Sequence, residues 1–204
     1  MNSTKRPFDW VPTPEIVANS NLTAFIRKTG EADLAALSRR ADADPAWLMQ
    51  QVFEFCDFRF YKPYEQMLDT SRGIEWARWC VGGTTNVVLN CIDRHRGTPT
   101  WERPYLVWEG EDKRAQRRLT YCEFDAEVCR LAGALAALDV QRGDRVGLYM
   151  PKLPETFIAF FAAMKIGAVV MPLFSGFGPQ PIVARLNDGQ AKVVLTADGT
   201  WRRG

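Results

Sequence analysis

Apolar residues recur at three- and four-residue steps from Glu123 to Leu138, where Phe124, Val128, Leu131, Leu135 and Leu138 share one side. That period predicts an amphipathic helix. Around it, short apolar runs alternate with further helical patterns. Tyr105 to Trp108, Leu119 to Tyr121, Arg145 to Met150, Ala168 to Pro172 and Lys192 to Thr196 read as strands. Pro154 to Lys165 and Gln180 to Asp188 read as helices between the last three. Strands alternating with helices of this length predict right-handed βαβ units and a mostly parallel sheet. Val169-Val170-Met171 and Val193-Val194-Leu195 are continuous apolar runs, the mark of strands that need cover on both faces.

The first half of the chain has a different pattern. Trp10, Pro12 and Pro14 predict an extended lead-in, since proline fixes its own φ and pushes its predecessor out of the helical region. Asn21 is placed to cap a helix ending at Gly30, and Asp33 to Ala41 carries a second. Asp44-Pro45 opens a third, with Trp47, Leu48, Val52 and Phe55 at helical spacing. Cys56 to Tyr61 alternates as a strand would. Tyr61, Trp76 and Trp79 are expected to anchor packing. The fold class is therefore α/β, a helical N-terminal extension followed by βαβ units. The two regions are residues 1–100 and 101–204.

Composition narrows the function. The 204 residues carry 26 Lys and Arg against 24 Asp and Glu, a net charge of +2. The basic excess of a nucleic-acid binder is missing. The run from Arg114 to Arg118 follows Glu109, Glu111 and Asp112, and reads as a solvated loop. Five cysteines (Cys56, Cys80, Cys91, Cys122, Cys129) show no CxxC spacing, and His95 is the single histidine. Neither a zinc site nor a disulfide framework is expected, and a reduced, cytoplasmic compartment fits. No apolar run reaches membrane-spanning length, and no apolar core follows Met1 to Pro7 as a secretory leader would require.

Three stretches carry chemistry-related motifs. The first runs from Trp79 through Gly82-Gly83-Thr84-Thr85-Asn86 to Asp93-Arg94-His95. The second is Arg118-Leu119-Thr120-Tyr121-Cys122-Glu123-Phe124, in which Thr120 and Glu123 have capping-box spacing. The third passes from Gly143-Asp144-Arg145 through Met150-Pro151 and Gly167-Ala168 to Phe174-Ser175-Gly176-Phe177, and on to Ala197-Asp198-Gly199. In this order the stretches resemble the front of AMP-forming, acetyl-CoA synthetase-like acyl-CoA synthetases, members of the adenylate-forming enzymes. The resemblance covers nearly the whole chain and is strongest over residues 76–204.

The resemblance implies a parent that joins a short carboxylic acid to ATP with magnesium, releases pyrophosphate, and passes the acyl group to coenzyme A. It implies that this chain is an incomplete part of the large N-terminal domain. The Ser/Thr/Gly-rich phosphate loop leading to Pro-Lys is absent from the 204 residues, as are the later ribose-binding aspartate and the adenylation lysine. No catalytic residue is therefore assigned, and the isolated chain is expected to be inactive. Gly82-Gly83-Thr84-Thr85 reads as a helix entrance, not as a phosphate cradle. What the resemblance does carry over is part of a coenzyme A site at Phe174, Gly176 and Arg202. Phenylalanine offers an aromatic face to adenine, glycine allows close backbone approach, and arginine can pair with phosphate. Ser175 and Arg203 depart from the common family pattern. Asp93 and His95 are expected to be structural.

Two other readings compete. A non-catalytic interaction or regulatory module would pair this half-domain with another chain, for instance the remainder of such an enzyme. A flavodoxin-like or dinucleotide-binding domain fits the alternation but lacks GxGxxG after its first strand. An in-frame continuation carrying a phosphate loop would separate the first of these from a ligase.

Overall fold

The computed structural model describes residues 10–111 and 115–199. They form two compact units that divide between Thr84 and Thr85.

The first unit begins with four helices: α1 (Pro14–Ala18), α2 (Asn21–Thr29), α3 (Leu34–Ala43) and α4 (Pro45–Phe55). Each starts on an oxygen-bearing side chain that accepts a free amide of the first turn. Thr13, Ser20, Asp33 and Asp44 serve in turn. Gly30 ends α2 in the left-handed region at φ 74°. The cap of α2 is thus Ser20, with Asn21 as its first helical residue. Pro14 does not extend the lead-in but starts α1, because Thr13 caps ahead of it and a first-turn proline loses no hydrogen bond.

Residues 56–61 do not form the strand their alternation predicts. Asp57 turns the chain at φ 49°. The apolar positions instead close an aromatic cluster: Phe53 stacks on Phe58 at 4.7 Å, and Phe60 meets Tyr64 edge-on at 5.3 Å. A hairpin of β1 (Gln66–Asp69) and β2 (Arg78–Val81), with a 3₁₀ turn at its tip, follows. Arg78 pairs with Asp69 and, with the Ser71 amide, holds that carboxyl well below the usual range. Tyr61, Trp76 and Trp79 are not buried anchors; all three are exposed.

The second unit holds the main core. A short helix, α5 (Val87–Cys91), leads through 3₁₀ turns to an antiparallel pair, β3 (Pro104–Glu109) and β4 (Gln116–Thr120). The basic run is thus partly strand, with Arg117 bound to Glu155 at 2.6 Å; Arg114 lies outside the described residues. Helix α6 (Tyr121–Ala137) starts on the Thr120–Glu123 capping box, with both reciprocal hydrogen bonds formed. The parallel sheet comprises β5 (Arg145–Tyr149), β6 (Val169–Pro172) and β7 (Ala191–Thr196) in the order β6-β5-β7. Helix α7 (Pro154–Lys165) joins β5 to β6, and α8 (Pro179–Asp188) joins β6 to β7.

Side-chain alternation puts the two connecting helices on opposite faces. Val146 and Leu148 belong to the core that includes Ile158, Ala159, Ala162 and Ala163 of α7. Gly147, between them, faces Leu186 of α8. The alanines let α6 and α7 pack closely together, with Phe124, Val128 and Leu135 of α6 fully buried. Among the described residues no helix is long and apolar enough to cross a membrane.

Candidate functional site

The order β6-β5-β7 creates a switch point. The chain leaves β5 toward one face of the sheet and leaves β6 toward the other. Ligands of open α/β sheets bind outside the carboxyl ends of the strands, near such a reversal of strand order. The Phe174–Phe177 turn lies beside this end of the sheet, immediately after β6.

Its geometry follows from a few contacts. Leu173 donates its amide to the Leu148 carbonyl at 2.9 Å, continuing the strand pairing by one residue. The Phe177 amide then donates to the Phe174 carbonyl at 3.0 Å, which closes a β-turn across Ser175 and Gly176. Phe174 and Phe177 meet edge-to-face at 5.4 Å. A Cβ at Gly176 would lie 2.5 Å from the Phe174 ring, so only glycine leaves room for that ring pose. Phe174 is nonetheless 62% exposed. The result is an oriented aromatic face open to solvent, beside backbone stripped of side-chain bulk. Such a surface suits a purine ring.

Of the three residues assigned to coenzyme A, the structure brings Phe174 and Gly176 into direct contact. Arg202 lies outside the described residues. Two neighbours were not singled out in the sequence. The Tyr149 hydroxyl reaches the Phe177 carbonyl at 3.0 Å and the Ser175 carbonyl at 3.3 Å. The Arg185 guanidinium lies over the Phe177 ring at 4.5 Å. Neither carries a spacing signal, because both reach the turn through tertiary packing.

The other motifs make backbone, capping and ion-pair contacts. Gly83 donates to the Cys80 carbonyl, and Thr84 exchanges backbone hydrogen bonds with Lys62, so these amides are already engaged. Asn86 caps α5 by accepting from the Val88 amide, and its amide group donates to the Met164 carbonyl at 2.8 Å. Asp93 is part of an ion network. It accepts from Lys165 at 3.0 Å, which also binds the buried Asp125 at 2.9 Å; Arg96 closes the network on Asp125 at 2.6 Å. Burial pulls the Lys165 ammonium down, but its bonds to Asp125 and Asp93 outweigh this and raise its pKa above the ordinary lysine value. His95 meets the Tyr121 ring edge-on at 5.0 Å. Tyr105, wedged against Phe124 at 4.5 Å, has its phenol pushed well above the tyrosine range by burial. The five cysteines form no disulfide.

Known proteins resemble the chain along its length. It is 36% identical over 203 residues to acetyl-coenzyme A synthetase of Streptomyces coelicolor, an alignment covering 100% of this chain and 29% of that protein. The corresponding enzyme of Mycolicibacterium smegmatis is 35% identical over 198 residues, covering 97% of this chain and 20% of that one. Among solved structures, acetoacetyl-CoA synthetase from Streptomyces lividans superposes with a TM-score of 0.85 at 29% identity, over 93% of this chain and 30% of the other. The chain thus spans between a fifth and a third of these relatives. Residues 34–91 match the family described as the acetyl-coenzyme A synthetase N-terminus. Residues 93–203, more than half the sequence, match the AMP-binding enzyme family, and the chain belongs to that family.

Proposed function

We propose that these residues form the N-terminal region of an ATP-dependent, AMP-forming carboxylate–CoA ligase acting on acetate or another short-chain acid. In this reading residues 1–100 are the helical N-terminal region and residues 101–204 begin the adenylation domain. The parent uses ATP, magnesium and coenzyme A, works in the cytoplasm, and needs neither nucleic acid nor a membrane. The observation that carries the reading is similarity to acetyl-coenzyme A synthetase along the full chain.

Within that reading the chain's own share of the site is nucleotide binding. Coenzyme A, when bound, supplies the thiol that takes the acyl group. Phe174 would stack on its adenine, Gly176 would let the backbone approach, and Arg202 would pair with a phosphate. Phe174 and Gly176 fit this role, since the Phe174 face is open and a Cβ at Gly176 would displace it.

Titration of coenzyme A into the 204-residue chain tests the reading. The wild type should bind, and Phe174→Ala and Gly176→Ala should each weaken binding roughly tenfold, the scale of one base–aromatic stack. Equal binding by all three proteins would refute the site. The chain alone should release no pyrophosphate from ATP, magnesium and acetate, because no residue within it is assigned to adenylation.

A further inference from the structure

The coenzyme A assignment does not use Tyr149, whose side chain reaches the Phe174–Phe177 turn. Tyr149 is the last residue of the central strand, and β6 and β7 flank that strand. Its backbone is held by pairing with Thr196 of β7. Its side chain spans the gap to the turn after β6. The phenol has one proton and faces two carbonyls, those of Phe177 at 3.0 Å and Ser175 at 3.3 Å, which bracket Gly176.

We propose that Tyr149 is a positioning residue for the candidate coenzyme A site, locking the Phe174–Phe177 turn to the central strand so that Phe174 presents a fixed ring face. The proposal rests on the functional reading above. A turn containing serine and glycine has wide backbone freedom when unpinned, and a ligand that must order it loses affinity. Here three restraints remove that freedom in advance. The strand pairing at Leu173 holds its start, the Tyr149 hydroxyl holds its middle and end, and Arg185 covers Phe177 from α8. Phe174 itself is mostly solvent-exposed, so burial does not fix its ring. Its orientation derives from Phe177 and Gly176, and theirs from Tyr149.

Tyr149→Phe removes the hydroxyl and keeps the ring, so the test is local. In the 204-residue chain, hydrogen exchange at the Phe177 amide should accelerate several-fold, while the Ile158 and Ala162 amides of α7 should stay unchanged. The dissociation constant for coenzyme A should rise roughly three- to tenfold, the scale of one net hydrogen bond. An unchanged Phe177 amide would overturn the proposal. So would equal acceleration at all three amides, which marks a general loss of stability. Unchanged coenzyme A affinity in the variant, with binding by the wild type, would also overturn it. No binding by the wild type, with selective acceleration at Phe177, would retain the lock and reject the coenzyme A reading alone.

Discussion

The two faces of the parallel sheet are built to different standards. On one face Val146 and Leu148 lie under α6 and α7, in a core whose members Phe124, Val128, Ala162 and Ala163 have no exposed surface. On the other face α8 covers the centre, where Leu186 sits over Gly147, while Val169 and Val194 stay 49% and 41% exposed. The first face is sealed by apolar area and by an ion network; the second is partly open and carries the Phe174 turn at its end. The difference separates what holds the fold from what can meet a ligand. Buried apolar contact stabilises in proportion to area removed from water, so perturbations should be costly on the α6–α7 face and mild on the α8 face.

The largest effect should come from Phe124→Ala. It removes a fully buried ring that also touches Tyr105 and Phe161. Loss of about 4 kcal/mol is expected in urea unfolding; a cost below that of the α8-face substitutions would erase the contrast. Next comes Lys165→Met, at about 3 kcal/mol, because it leaves Asp125 buried with Arg96 as its remaining strong partner.

The same network sets a pH signature. The folded pKa of Lys165 is raised above its ordinary value of 10.5. Its contribution is therefore complete below pH 10.5 and is lost as pH climbs through the higher folded value. Wild type should lose stability in that alkaline window, and Lys165→Met should lose less there.

On the α8 face, Gly147→Ala should cost about 1–2 kcal/mol. Its Cβ would meet the Leu186 tip at 2.8 Å, and a flexible side-chain end can give way. The smallest effect belongs to Val194→Thr, expected within about 0.5 kcal/mol by thermal unfolding, since the side chain is already part-exposed. A much larger loss there would mean that this face is as sealed as the other.

Periodicity made the βαβ half legible. Helices α6 and α7 fall where three- and four-residue apolar steps place them, and β5, β6 and β7 where short apolar runs do. Local chemistry was equally readable: the Thr120–Glu123 box, the Asp44-Pro45 start and the Gly30 stop all act within one helical turn. The failures have a common cause. Residues 56–61 alternate correctly for a strand, yet Phe58 and Phe60 find aromatic partners that make a turn better. The β1–β2 hairpin gave no pattern of its own, since its four-residue strands are too short for a period to show. Trp76 and Trp79 have the composition of anchors, but composition does not assign burial.

For the candidate site, the sequence by itself supplied the residues of the turn. Phe174 and Gly176 are two residues apart, and a glycine in that position permits the close ring contact whatever surrounds it. Only the tertiary structure decided what holds the turn. Tyr149 is 26 and 28 residues away from the carbonyls it faces, and the strand order places it beside them. Hydrogen bonds over that span depend on which strands pair, a choice made by the packed core and not by any local run of residues.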